Sequence, residues 1–256
     1  MCLVIFAFDP DGERPLAVAA NRDEFHARPT APAAFWPEAP GLLAGRDLEA
    51  GGTWMGVTRN GRFAAITNYR DPDRTVPAPR SRGALPLDFL LGEDSPTAYA
   101  HRVMPLARQY AGYNLLIGSG RELWYLCNTG GGEARPLPAG TYGLSNARLD
   151  TPWPKVVRGK AALENLLADD KPLTHNTLAA VVGDRTLADK DTLAQQGLNG
   201  EMDELLSAQF IMTPAYGTRS RTTFWRDAQG TGHWREQCFN AQGELTGTQD
   251  MQLAPE

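Results

Sequence analysis

Six apolar residues in a row, "LVIFAF" at 3–8, give way to the polar run "DPDGER" and then to a second apolar stretch, "PLAVAA", which ends on "NRDE" at 21–24. Pro10 and Gly12 between the runs predict a turn, and the pattern predicts an antiparallel hairpin. Its arms are about equally long, so the polar end "NRDE" returns beside Cys2. The next stretch, 26–52, is broken by prolines and predicts a loop crossing a surface. "WMGVT" and "RFAAITN" then flank Asn60-Gly61, the signal for a second hairpin with a tight primed turn.

From about Leu85 to Gln109 the pattern turns helical, in two pieces separated by "GEDSP", with Ser95 as cap and Pro96 in the first turn of the second piece. "YNLLIGSGRELWYLCN" returns to strands around Gly118-Ser119-Gly120. "GTYGLSNARLDTPWPK" predicts a loop that leads into a helix over roughly Pro154 to Ala168. Short helices are predicted in "THNTLAAVVGD" and "EMDELLSAQF", and strands with Gly-containing turns close the chain from Tyr216. Hairpins dominate and strands do not alternate with helices. The pattern therefore predicts an α+β fold with mainly antiparallel sheets rather than a doubly wound parallel one. No compositional break divides residues 1–256, so one domain is expected.

Composition narrows the function classes. Of the 256 residues 42% are hydrophobic and 21% charged, as in soluble globular proteins, and the net charge of -5 lacks the basic footprint of a nucleic-acid binder. "LVIFAF" is too short for a signal core or a membrane span, so neither integral membrane insertion nor export is expected, and a cytoplasmic location is. Cys2, Cys127 and Cys238 are odd in number and widely spaced, which argues against a disulfide framework or a structural zinc. The histidines at 26, 101, 175 and 233 have no metal-binding spacing; His26, close behind "NRDEF", is kept as a ligand candidate. No phosphate-cradling glycine motif and no nucleophile elbow occur, and no cofactor is required.

Cys2 has two readings. Free cysteine is commonly a small buried hydrophobe. Alternatively, removal of Met1 would place a thiol and a free α-amine on one residue, with reference pKa values of about 8.5 and about 8. That amine can take the proton from the sulfur and later deliver it to a leaving amine. Arg22 at the returning hairpin end can lower the thiol pKa, while Asp23 or Glu24 can anchor the ammonium. Neighbours on a strand point to opposite faces, so Arg22 and Asp23 both face Cys2 only if their strand ends there. Asn68 and Asn146 stand at strand or loop ends, where a side-chain amide can stabilise an oxyanion or simply cap a turn. Arg219 and Arg221 in "YGTRSR" can bind a carboxylate or neutralise a thiolate. Trp36, Trp54, Trp153, Trp225 and Trp234 can wall an apolar pocket or fill the core.

Together "MCLVIFAF…AVAANRDEF", "GGTWMGVTRNGRFAAITNYRD", "GLSNARLDTPWPK" and "YGTRSRT" closely resemble the NRDE family, also called the transport and Golgi organisation protein 2 family. The resemblance runs from Met1 to the final strands. It implies an N-terminal-nucleophile hydrolase-like fold, a four-layer αββα sandwich of two antiparallel sheets covered by helices. A more distant likeness to cysteine-type N-terminal-nucleophile amidases, the choloylglycine and penicillin V acylases, implies roles. Cys2 would be the nucleophile, Arg22 the arginine beside it, Asn68 the asparagine after the Asn-Gly hairpin and Asn146 the oxyanion-hole asparagine. Arg219, in the "YGTR" string, is favoured over Arg221 as the late arginine. In those amidases the aspartate lies three residues past the arginine, a position held here by Phe25, so Asp23 would have to serve from a different backbone geometry. The implied substrate is a small acylated amine; the alternative that the resemblance carries is an apolar ligand such as heme or a lipid, bound without catalysis.

Overall fold

The computed structural model describes residues 2–70, 78–169 and 172–255. Met1, and residues 71–77 of the turn-rich stretch before the first helix, lie outside the described residues. The N-terminal hairpin forms as its apolar arms require: β1 (Cys2–Phe8) pairs antiparallel with β2 (Leu16–Phe25). The second hairpin is β5 (Met55–Thr58) and β6 (Phe63–Asn68). Its turn differs in detail from the sequence expectation. Among the described residues Asp150 alone has a positive φ without being glycine, so Asn60 does not take the primed conformation; Gly61, at φ 89°, makes the left-handed step of a three-residue loop.

The stretch expected as a surface loop is instead β3 (Thr30–Trp36) and β4 (Ala39–Asp47). Its prolines coincide with breaks in the pairing: the register shifts between Ala31 and Ala34, around Pro32, and between Phe35 and Trp36, near Pro37 and Pro40. Proline is tolerated in a strand at such irregularities and at a sheet edge, and β3 is an edge.

The predicted helical region holds α1 (Ala84–Leu91) and α2 (Pro96–Val103). Ser95 caps α2 by accepting a bond from the Ala98 N–H at 3.1 Å. Strands β7 (Tyr113–Ser119) and β8 (Glu122–Cys127) follow, then the short edge strand β9 (Glu133–Pro136). "GTYGL", expected as loop, is β10 (Gly140–Leu144), because it finds the free edge of β1. α3 spans Pro154–Ala168 as the sequence indicates, and α4 (His175–Ala180), α5 (Lys190–Gln195) and α6 (Glu201–Leu205) are short. The chain closes with β11 (Tyr216–Arg226), β12 (Gly232–Phe239) and β13 (Leu245–Leu253).

The strands form two sheets, ordered β10-β1-β2-β11-β12-β13 and β3-β4-β5-β6-β7-β8-β9, with antiparallel neighbours throughout. Alternation along each strand then assigns the layers. Val4, Phe6, Val18 and Phe224 of the first sheet meet Val57, Phe63, Leu116 and Tyr125 of the second in the central core. Leu3, Ile5 and Ala19 face outward onto Val156 and Leu163 of α3 and Leu178 of α4. Leu42, Ala64 and Leu115 pack against Leu85, Phe89 and Tyr99 of α1 and α2 on the far side. The result is the four-layer αββα sandwich. Among the described residues no helix is long and apolar enough to cross a membrane.

Candidate active site

Cys2 opens β1 and stands in register opposite Arg22 on β2, which in turn pairs with Ser220 on β11. Odd and even positions part here. Cys2 and Arg22 lie on the side facing the other sheet, whereas Asn21 and Asp23 lie on the helix side. Yet Cys2, Arg22, Asp23 and Glu24 all border one cleft of about 130 Å³, together with Trp54, Asn68 and Arg82. β2 runs on past Cys2, so Asp23 lies just beyond the last registered pair of β1, and both faces are reached from there. β2 itself does not end at Arg22 but continues to Phe25, so the two side chains border the cleft from opposite faces of the sheet.

Two side chains hold the arginine. Arg22 is 6% exposed. Its Nη1 donates to Thr30 Oγ1 at 3.2 Å, and its guanidinium lies 4.3 Å from the Trp54 ring centroid. Burial lowers its pKa, and the Cys2 sulfur and Glu24 act in the opposite direction. Cys2 itself is half-buried as a residue; burial of its sulfur raises the thiol pKa, the Asp23 charge raises it further, and Arg22 lowers it. Ser145 Oγ donates to the Cys2 carbonyl at 3.0 Å, tying the start of β1 to the end of β10.

Asp23 is buried at 2% exposure. Thr218 Oγ1 donates to Asp23 Oδ1 at 2.7 Å, and Tyr216 Oη donates to the Asp23 carbonyl at 2.8 Å. Burial raises its pKa, opposed by the Lys155 ammonium, the Thr218 bond and Arg22. Phe25 is 57% exposed and its ring meets Tyr216 edge-on, so the position that aspartate occupies in the distant amidases faces away from the buried cluster.

Asn68 ends β6 and borders both the Cys2 cleft and a neighbouring depression that also holds Asn146, Met202 and Leu206. Asn146 is 1% exposed; one of its Nδ2 hydrogens goes to the Asn68 carbonyl at 2.8 Å, leaving a second donor on the same nitrogen. The structure thus brings Cys2, Arg22, Asp23 and Asn68 to one cleft and places Asn146 next door, linked through Asn68. Arg219 sits at the bulge between the Thr218 and Ser220 pairs, and its Nη1 donates to the Phe25 and Arg28 carbonyls at 2.8 and 3.1 Å. It fastens the 25–28 turn and does not line the cleft. Arg221 is turned to the helix layer, where it donates to the Ala179 carbonyl at 3.4 Å. His26 rests against Gly217, where a Cβ would lie 3.3 Å from its Nε2. Among the described residues no group of three or more His, Cys, Asp or Glu could hold a metal ion.

Three buried polar residues were not singled out by sequence. Asn114 is fully buried and donates to the Ala147 carbonyl at 2.9 Å and to Thr67 Oγ1 at 3.1 Å, clamping the turn that carries Asn146. Lys155 of α3 and Glu236 of β12 are 2% and 1% exposed, and Lys155 Nζ donates to the Leu206 carbonyl at 2.9 Å. The signal for Lys155 was available: a lysine standing at a core-facing position of an amphipathic helix.

Glu236 bridges the two sheets by accepting the Ala33 N–H at 2.7 Å. Burial raises its pKa more than that bond and Arg22 lower it. The folded protein therefore holds this proton to a higher pH than the unfolded chain does. Stability is full below the ordinary Glu pKa of 4.5 and falls as pH rises from there through the folded value. Glu236→Gln keeps the acceptor for Ala33 and removes the ionisation. Urea unfolding at pH 4 and pH 8 checks this: the variant matches the wild type at pH 4 and exceeds it at pH 8.

Comparison with known proteins gives the family and the fold. The family described as "Transport and Golgi organisation 2" matches residues 1–241. The Transport and Golgi organization protein 2 homolog of Homo sapiens is 34% identical over 252 residues, covering 90% of each chain, and the Mus musculus homolog gives the same figures. The Drosophila melanogaster protein is 28% identical over 267 residues, covering 93% of this chain and 92% of its own. Among solved structures, the Caenorhabditis elegans N-acylethanolamine-hydrolyzing acid amidase (NAAA) ortholog shares the fold at TM-score 0.50 and 10% identity, over 71% of this chain and 86% of that one.

Proposed function

We propose, for a chain that belongs to the Transport and Golgi organisation 2 family, an N-terminal-cysteine amidohydrolase that cleaves the C–N bond of a small acylated amine. The observation that carries this reading is the position of Cys2: first residue of β1, opposite a buried arginine, at the mouth of a polar cleft. Fold likeness leaves function to the site.

Removal of Met1 frees the Cys2 α-amine. The thiol proton passes to that amine, and the sulfur attacks the amide carbonyl carbon while Arg22 stabilises the thiolate. The oxyanion takes the second Nδ2 hydrogen of Asn146, or an N–H of Asn68, and closes again with rupture of the C–N bond. The α-ammonium returns its proton to the departing nitrogen, which leaves as a neutral amine. Water then attacks the thioester, giving one proton to the α-amine and its oxygen to the acyl carbon. Sulfur leaves, recovers the proton, and a carboxylic acid departs. Asp23 holds the α-ammonium in both halves, and Arg219 keeps the 25–28 turn in place.

Free-amine release from a panel of N-acyl amines, with the processed wild type and Cys2→Ala side by side, tests the reading. Release that depends on Cys2 supports it. Retention of an apolar ligand such as heme or a lipid by both proteins, with no release by either, replaces catalysis by binding.

A further inference from the structure

A sheet edge offers unpaired backbone to any strand that can reach it, and folded proteins blunt their edges. Three of the four edges here are blunted. β3 carries Pro32 and a broken register. β9 is four residues long, with Glu133, Arg135 and Pro136 among them. β10 is covered: the Gly143 N–H donates to Asp150 Oδ1 at 2.8 Å, and the Gly143 carbonyl accepts the Asp150 N–H at 2.8 Å. β13, at the end of the six-stranded sheet, has none of these devices. It is nine residues long and holds no proline or lysine; its one charge, Asp250, is paired with Arg235 of the neighbouring β12. Among the described residues no backbone hydrogen bond reaches its outer side.

The sequence of this strand, "LTGTQDMQL", fits a second copy of itself. A two-fold interface sets residue i against residue j and, at the same time, j against i. Antiparallel pairing centred on Gln249 is the register that engages all nine residues. It sets Leu245 against Leu253, Thr246 against Gln252, Gly247 against Met251 and Thr248 against Asp250, with Gln249 facing its own copy. Both members of each pair are odd-numbered or both even-numbered, so they share a face of the sheet. No charge meets its like. A register centred one residue later would set Asp250 against itself, which is unfavourable. Gly247 leaves space for the approach: nothing lies within 4 Å of where its Cβ would stand. A glycine inside a strand suits a place where another backbone comes close. We propose that β13 is a dimer seam, where two copies of this chain pair antiparallel about Gln249 and join their six-stranded sheets into one of twelve. Cys2 and Arg22 stand on β1 and β2, four and three strands from the seam, so the cleft stays open in the dimer. The seam does not depend on the amidohydrolase reading.

Sedimentation of the full chain across micromolar concentrations tests the seam. The wild type sediments as a dimer. Thr248→Asp, at an exposed position, sets a carboxylate against the partner's Asp250 at two places. It raises the dissociation constant about tenfold or more, while the rate of Cys2 alkylation is unchanged. Cysteine pairing under diamide reads the register, with the wild type and its own three cysteines as the blank. Facing residues of an antiparallel pair have Cβ atoms about 4.5–5.5 Å apart, near the span of a disulfide. Gln249→Cys alone gives a covalent dimer, because position 249 meets itself. Thr248→Cys and Asp250→Cys give one only when the two variants are mixed. A wild type that stays monomeric throughout overturns the proposal. So does a dimer that Thr248→Asp leaves intact, or one that cross-links in another pattern.

Discussion

Alanine at position 2 abolishes amide cleavage while the fold persists. The hydroxyls and carboxylates that also line the cleft, those of Thr53, Ser81, Asp23, Glu24 and Asp47, have no α-amine on the same residue to activate them, and Cys127 is fully buried in the central core. The loss in kcat is roughly 10⁴-fold or more, since removing the nucleophile of a concerted set costs nearly as much as removing the whole set. Stability changes little, because Cys2 is half-buried and its backbone pairing with Arg22 does not depend on the side chain. Amine release measured against far-ultraviolet circular dichroism separates the two. Residual release within tenfold of wild type would move the chemistry away from Cys2.

Arg22→Met has the second-largest effect. Methionine keeps apolar contact with Trp54 but removes the guanidinium that stands in register opposite Cys2. Burial already pushes the thiol above its ordinary range. Loss of Arg22 pushes it further, and below its pKa the thiolate fraction falls tenfold for each unit. Alkylation of Cys2 at pH 7 therefore slows roughly tenfold to thousandfold, by the about one to three units of a lost neighbouring charge, and the rate profile moves to higher pH. Arg22→Lys restores part of the rate through charge, but not the stacking on Trp54 or the bond to Thr30. Equal alkylation rates in all three proteins would show that Arg22 acts on packing alone.

What the sequence made legible was local. Two apolar arms of similar length around a Pro/Gly turn were enough to bring Cys2 and Arg22 together, and the observed register pairs them. The helix from Pro154 to Ala168 was legible from its entry proline and period. The layer architecture came from family resemblance, since hairpin order alone does not stack one sheet on another. β3 and β4 were hidden because prolines read locally as breaks, whereas the sheet absorbs them as shifts in register. Asn114 and Glu236 were hidden for a different reason: their partners, Ala147 and Ala33, lie at sequence separations no motif spans. The choice between Arg219 and Arg221 turned on a bulge at Arg219, which points one arginine to the 25–28 turn and the other to α4.

The central claim is that Cys2 is an armed N-terminal thiol. The direct measurement is the intact mass of the purified protein before and after brief exposure to a soft electrophile, with Cys2→Ala alongside. Met1 is expected to be absent and one adduct to form rapidly, disappearing in Cys2→Ala, while buried Cys127 and half-buried Cys238, whose thiol is raised to about 11 by burial and by Glu236, stay unlabelled. A retained Met1, or a Cys2 no more reactive than Cys238, would contradict it.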